Sequence, residues 1–319
     1  MSSIPFLDAA AIRAAVPMSD LLDAIEAAYR DASAGRDRSP LRTHVALGTG
    51  SLLLMPGVRS AGPGATVKLV TVMPDNPSRG LPTVQALVVW LSATTGEPIA
   101  LMDGATVTAM RTGAASGVAT RLLARPDATT LAVIGVGGQA EWQVRAVAAA
   151  RPIRRVLVHA RNAESRERFA AEMAAATGLE VRAVGSAREA VEPADVVCCA
   201  TTSVTPVFDA GWLRPGTHVN GIGAFQRSMV ELPPGLFGRA SVVAIDAREA
   251  AMAEAGDLVA AIEAGLVSEA ELVEIGTVDR AWSESRDPSA ITAFKSVGLA
   301  IQDAAAAELI AARLLGDAG

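Results

Sequence analysis

The stretch 131-LAVIGVGGQAEWQ-143 decides the fold class. Its first half, with Thr130 before it, is a continuous apolar run of strand length, and its second half opens a helix, 139-QAEWQVRAVAAA-150. Between them Gly135, Gly137 and Ala140 form G-x-G-x-x-A, the variant dinucleotide fingerprint, in the strand-to-helix setting that gives such a match meaning. Gly135 permits the tight turn, Gly137 lets backbone N–H groups approach a pyrophosphate, and Ala140 allows close helix–strand packing. The field of the helix N-terminus then favours the anion. A glycine-rich turn with no ligand is the alternative.

Beyond this stretch strands and helices alternate. Strand 155-RVLVHA-160, helix 163-AESRERFAAEMAAATG-178, strand 179-LEVRAV-184, helix 186-SAREAVEPA-194 and strand 195-DVVCCAT-201 follow, and 217-THVNGIG-223 and 241-SVVAID-246 continue the set. Alternation of this kind implies a parallel sheet covered on both faces. Upstream the rhythm differs. After an amphipathic helix over 19–35 come short β-prone runs, 41-LRTHVAL-47, 51-SLLLMP-56, 65-ATVKLVTV-72, 83-TVQALVVWL-91 and 98-PIALMD-103, which read as an antiparallel sheet. The small-residue helix 105–125 joins the two regions, and 295–319 reads as a terminal helix. The fold class is therefore α/β: a Rossmann-type doubly wound parallel sheet beside a mixed α+β domain.

Composition narrows the function classes. A chain of 319 residues is long enough for two domains. With a net charge of −6 and a pI near 5.2, it has no basic field for nucleic acid or an anionic membrane surface. Mean hydropathy is +0.33, yet the excess comes from alanine, and no apolar run approaches the roughly 20 residues that span a bilayer. The first residues carry no basic segment leading into an apolar one, so a cytoplasmic location is expected. The two adjacent cysteines, Cys198 and Cys199, suit neither a disulfide framework nor a metal cluster, and no metal is expected.

The end of the second Rossmann strand bears on the cofactor. An NAD site usually carries an acidic residue there to hold the ribose 2′-OH. Here the sequence is 158-VHARN-162, without Asp or Glu, and Arg161 and Asn162 suit a 2′-phosphate. NADP(H) is favoured and NAD(H) is possible, while Arg161 as a solvated helix-start residue is the plainer reading. His159 reads as structural.

The blocks 67-VKLVTVMPDNPSRGLPTVQALVVWLSATTGEPIALMDG-104, 106-TVTAMRTGAASGVA-119, 132-AVIGVGGQA-140, 197-VCCATTS-203 and 292-TAFKSVGLAIQD-303 together resemble the ornithine cyclodeaminase/mu-crystallin family. The resemblance covers nearly the whole chain. It implies a homodimer, a substrate and dimerisation domain from residues 1–115 with 300–319, and an NAD(P)-binding Rossmann domain over 116–299. Family activities include cyclodeamination of ornithine or lysine, alanine dehydrogenation, cyclic ketimine reduction, and ligand binding without turnover in crystallins. The family's substrate-binding basic residues fall on Arg42, Lys68 and Arg111, with Lys68 and Arg111 catalytic. Thr83, Arg111, Gly138, Gln139, Thr201 and Lys295 fall where it contacts the cofactor or lines the cleft. Lys295 as a helix-start surface lysine is the alternative. From chemistry alone Lys68 stands out, because an ammonium among apolar strand residues needs an acceptor or a bound anion. Arginine suits a carboxylate through its planar fork. For each of the three cations an intramolecular salt bridge is the alternative. His44 is read first as structural and second as an acid.

One departure separates the activities. Where the resemblance implies an aspartate in cyclodeaminases, just after the glycine pair of 218-HVNGIGAFQ-226, this chain has Phe225. A phenyl ring carries no proton, so ring closure with ammonia release loses its acid/base group. Reduction of a preformed cyclic imine needs less, and Phe225 suits the apolar wall of that substrate. The expected reaction is NAD(P)H-dependent reduction of Δ1-pyrroline-2-carboxylate and Δ1-piperideine-2-carboxylate. Ornithine or lysine cyclodeaminase, alanine-type dehydrogenase and a mu-crystallin-like NADPH-binding protein are the alternatives.

Overall fold

The computed structural model describes residues 4–316. In chain order the elements are β1 (Phe6–Leu7), α1 (Ala9–Ala15), α2 (Met18–Ser33), β2 (Thr43–Leu47), β3 (Gly50–Val58), β4 (Gly64–Val72), β5 (Val84–Ser92), β6 (Pro98–Asp103) and α3 (Gly104–Leu123). There follow β7 (Thr130–Ile134), α4 (Ala140–Ala150), β8 (Arg155–His159), α5 (Ala163–Thr177), β9 (Glu180–Ala183), α6 (Ala187–Val191), β10 (Val196–Cys199) and β11 (His218–Gly221). The last are α7 (Pro234–Arg239), β12 (Val242–Ile245), α8 (Arg248–Glu254), α9 (Gly256–Glu263), β13 (Leu272–Glu274), α10 (Arg280–Ser285), β14 (Thr292–Lys295) and α11 (Ala300–Leu314). Two compact units result, Met1–Arg111 with Leu299–Gly319 and Thr112–Gly298, and the division falls inside α3.

The first unit is a six-stranded sheet in the order β1-β6-β5-β4-β3-β2, antiparallel except for the β1–β6 pair. One face packs on α11, where Leu53, Met55 and Val70 meet Ala300. The approach is close enough that a side chain at Gly57 would stand 2.5 Å from the Ala300 carbonyl. Thr66, Lys68 and Val70 alternate along β4 toward this buried face. On the other face the register aligns Phe6, Leu101, Val89, Val67 and Pro56 across five strands, and Leu54, Leu69 and Leu87 in a second row. This apolar face is left part-open by its own chain: Phe6 is 56% exposed and Leu69 37%.

The second unit is an eight-stranded, wholly parallel sheet in the order β13-β12-β14-β11-β10-β7-β8-β9. The order reverses at β7/β10, the switch point at which Rossmann-type sheets bind ligands beyond the strand ends. β7, β10, β11 and β14 are buried along their whole length, as a sheet covered on both faces requires. Asp103 starts α3 by accepting from Thr106 N at 2.8 Å. In α3 Gly113 sits so close to α4 that a Cβ would meet the Trp142 carbonyl at 2.5 Å, which explains a glycine in mid-helix.

The C-terminal region corrects the sequence reading. The helix expected over 295–319 begins only at Ala300, and residues 317–319 lie outside the described residues. Thr292–Lys295 form an inner strand between β11 and β12. These four buried residues end in a lysine and lead toward a long helix, and periodicity alone does not tell a short buried strand from the start of a buried helix. Among the described residues no helix is long and apolar enough to cross a membrane.

Candidate active site

In the first unit the basic residues meet a carboxylate that sequence reasoning missed. Lys68 is 1% exposed, and its Nζ lies 2.8 Å from Asp303 Oδ2 and 2.9 Å from Oδ1. Arg111 donates from Nε to Asp303 Oδ1 at 3.0 Å and from Nη1 to Gln302 Oε1 at 2.6 Å. The Gln302 amide in turn donates to the Tyr29 hydroxyl, and its Oε1 also accepts from Leu299 N at 3.0 Å. α11 thus places Gln302 and Asp303 under β4, and α3 supplies Arg111 at the end of its stretch in this unit.

Burial pushes the Lys68 ammonium down to about 7, with Arg111 and Arg42 adding repulsion and Asp303 opposing them. Burial alone would raise the Asp303 carboxyl, but Arg111 and Lys68 outweigh it and hold it below its usual value. Asp303 is therefore a carboxylate, and Lys68 is poised between its two forms near neutral pH. Arg42, half-buried ahead of β2, bears on this cluster through its charge. His44 lies on the exposed edge strand β2, its pKa lowered by partial burial and by Arg42. Thr83 precedes β5, and its carbonyl takes Met73 N at 2.8 Å.

In the second unit Gly135 ends β7 with φ +97°, and a Cβ there would lie 2.7 Å from the Ala200 carbonyl and 2.9 Å from the Thr201 methyl. The glycine loop and the Thr201 loop are therefore neighbours. Gly137 and Gly138 open onto empty space, with nothing within 4 Å of where a side chain would begin. Gln139 precedes the first turn of α4, its buried Oε1 lacks a protein hydrogen-bond partner, and Ala140 is fully buried. An open glycine cradle at a helix N-terminus, beside an acceptor awaiting a donor, fits the pyrophosphate and ribose hydroxyls of a dinucleotide.

Behind Thr201 stands Glu231, another residue the sequence reading missed. It is fully buried and accepts from the backbone N–H of Thr201 and, at 2.9 Å, of Gly223, tying the loops after β10 and β11 together. Burial raises its pKa, against Lys295 and the two backbone donors. Lys295 is not a surface lysine at a helix start. It ends β14 fully buried, donates to the Ala224 carbonyl at 2.7 Å and pairs with Asp257 at 3.3 Å. Its ammonium thereby supports the segment that carries half-buried Phe225. No local spacing announces Glu231 or Asp257, because their partners are distant in sequence.

At the end of β8, Arg161 and Asn162 are exposed, and Asn162 Oδ1 caps α5 by accepting from Ser165 N at 2.7 Å. The cap uses the side-chain oxygen and leaves the amide N–H groups, the donors a phosphate would take, out of that bond. Arg166, one turn on, donates from Nη1 to the Ala160 carbonyl at 3.2 Å. The four-residue spacing from Asn162 was the signal available for it.

A Rossmann-type unit with an open glycine loop, and a sheet unit with a buried cluster of cations, define the class of protein. The model of the ornithine cyclodeaminase/mu-crystallin family matches residues 5–318, and the chain belongs to that family. It is 37% identical over 297 residues to a Delta(1)-pyrroline-2-carboxylate reductase of Bacillus cereus, covering 91% of this chain and 90% of that one. The structure of the Thermococcus litoralis Delta(1)-pyrroline-2-carboxylate reductase in complex with NADH and L-proline superposes with a TM-score of 0.93 at 36% identity, covering 98% of each chain. A lysine cyclodeaminase that recognises L-lysine, L-ornithine and L-2,4-diamino butyric acid gives a TM-score of 0.82, also at 36% identity, covering 96% of this chain and 91% of that one.

Proposed function

We propose that this chain is an NAD(P)H-dependent reductase of small cyclic ketimine carboxylates, converting Δ1-pyrroline-2-carboxylate to proline and Δ1-piperideine-2-carboxylate to pipecolate. The observation that carries the reading is the buried cluster in which Lys68 and Arg111 both meet the carboxylate of Asp303, with the Arg42 charge bearing on Lys68. Such a surplus of positive charge suits an anionic substrate. The reductase relatives in Bacillus cereus and Thermococcus litoralis support the same chemistry.

In this reading Arg111, with Nε and Nη1 already engaged, offers its remaining Nη2 edge to the substrate carboxylate, and Arg42 closes on it from the side. Lys68, poised near neutrality, keeps the imine nitrogen protonated. Phe225 forms the apolar wall against the ring carbons. Gly135, Gly137, Gly138, Gln139 and Ala140 hold the cofactor pyrophosphate, with Thr201 on the rim of the loop and Thr83 as a further contact. Lys295 acts by supporting the Phe225 segment. When bound, the cofactor supplies a hydride. Arg161 and Asn162, in place of an acidic residue at the end of β8, favour the phosphorylated cofactor.

Cyclodeamination is the second reading, since the lysine cyclodeaminase is as similar in sequence as the Thermococcus litoralis reductase. Phe225 speaks against it, because that position offers no group to handle the leaving amine. The partner we propose is a second copy of the chain, covering the apolar outer face of the first unit's sheet. The reaction is tested by supplying Δ1-pyrroline-2-carboxylate with NADPH and, in parallel, with NADH, and following 340 nm absorbance and L-proline together. Proline formed in step with cofactor oxidation supports the reading, and absence of both refutes it.

A further inference from the structure

We propose that Arg166 is a specificity-determining residue, acting with Arg161 to hold the 2′-phosphate of the cofactor's adenosine ribose. This rests on the reading above that the phosphorylated cofactor is preferred. The local build of α5 makes the case. Asn162 caps the helix through Ser165 N at 2.7 Å, and Arg166 N donates to the Asn162 carbonyl at 3.2 Å. Residue 166 is then one turn past the cap, on the side of the helix that returns to the end of β8. Its guanidinium does return, with Nη1 donating to the Ala160 carbonyl at 3.2 Å.

In a site for the unphosphorylated cofactor, the end of the second strand carries the carboxylate that takes the ribose 2′-hydroxyl. Here Ala160 brings no carboxylate, and a guanidinium is tethered beside its carbonyl. Arg166 Nε is buried and has no hydrogen-bond partner, so the group still has a donor to satisfy. Glu164 and Glu167 flank it on the same helix, yet both are exposed, and among the described residues neither Arg161 nor Arg166 is ion-paired with a carboxylate. Two cations of one sign without a countercharge, at the position where ribose is read, suit a phosphate dianion. A guanidinium exchanges a neutral carbonyl for charged phosphate oxygens readily, because the charge-assisted bond is the stronger one and the fork binds two oxygens at once.

Calorimetric titration of NADPH, NADH and adenosine 2′,5′-bisphosphate into the wild type and the R166Q, R166K and R161A variants tests this without turnover. R166Q retains a donor for the Ala160 carbonyl, and its melting temperature checks the fold. The expected result is that R166Q weakens NADPH and the bisphosphate by about tenfold or more, the worth of one charged hydrogen bond, with NADH changed by less than about twofold. R166K recovers part of the loss. If R166Q binds NADPH as the wild type does while R161A does not, the phosphate site stands and Arg166 is only a helix-end contact. Equal losses for NADPH and NADH in R166Q overturn the proposal as well. If the wild type itself binds the two cofactors equally, the preference for the phosphorylated cofactor fails, and the proposal with it.

Discussion

Lys68 and Asp303, 235 residues apart in sequence, form a buried ion pair at 2.8 Å that joins the middle of β4 to the first turn of α11. Asp303 keeps part of the Lys68 charge in place, while burial and Arg111 remove enough stabilisation to bring it to about 7. The ammonium form, to which we assign the proton on the imine nitrogen, is populated below that pH and lost above it. kcat/KM for ketimine reduction is therefore expected to be level at acidic pH and to fall as pH rises through about 7. K68R, which stays charged, should move the falling limb upward by more than about one pH unit, since guanidinium does not deprotonate in this range. A limb unmoved in K68R would assign it to the imine instead. K68M should lower kcat/KM by about a hundredfold or more.

Gly135 and Gly138 separate folding from binding within one loop. At Gly135 both φ +97° and the Ala200 carbonyl oppose a side chain. G135A is expected to lose on the order of 1–3 kcal/mol of stability, seen as a lower urea midpoint. G138A meets open space, so its midpoint should match the wild type while calorimetry shows weaker cofactor binding. A destabilised G138A would show that the loop is shaped by its own packing and not by a ligand.

The strand–helix alternation and the glycine loop were legible in the sequence because each rests on neighbours a few residues apart. Lys68 was legible for a different reason: one charge in the apolar run 65-ATVKLVTV-72 advertises a missing partner. The partner was not legible. Asp303 lies in a helix of small apolar residues where one aspartate reads as an ordinary solvated position, and only the packing of α11 under β4 makes it the counter-ion. Glu231 and Asp257 were hidden in the same way, as acids whose roles depend on loops brought together by the parallel sheet. Strand β14 escaped because four buried residues leading toward a long helix share its apolar character. With the strand unread, a surface lysine at a helix start stayed open as the alternative for Lys295.

In the proposed function Phe225 carries the distinction between reduction and ring closure. F225D should lower kcat/KM for Δ1-pyrroline-2-carboxylate by about tenfold or more, through loss of an apolar wall and addition of a second negative charge near a carboxylate substrate. Ammonia release from L-ornithine should appear in this variant and not in the wild type. Ammonia from the wild type would remove Phe225 as the deciding residue.

Leu69, in the middle of β4 and 37% exposed, tests the uncovered sheet face. L69E places a charge there without disturbing the side that packs on α11. Sedimentation velocity is expected to show a dimer for the wild type and a shift to monomer for L69E, with an unchanged circular dichroism spectrum. A dimer that persists in L69E would place the contact elsewhere.

In the proposed reaction a hydride reaches the carbon of a ready-made C=N bond, and isotope transfer measures it directly. Δ1-pyrroline-2-carboxylate is incubated with NADPH deuterated at both C4 positions of the dihydronicotinamide, and the product is read by mass spectrometry and proton NMR. L-proline carrying one deuterium at Cα, formed in equal amount to the cofactor oxidised, is the predicted result. Unlabelled proline, or no proline while L-ornithine releases ammonia with no net cofactor oxidation, would contradict it.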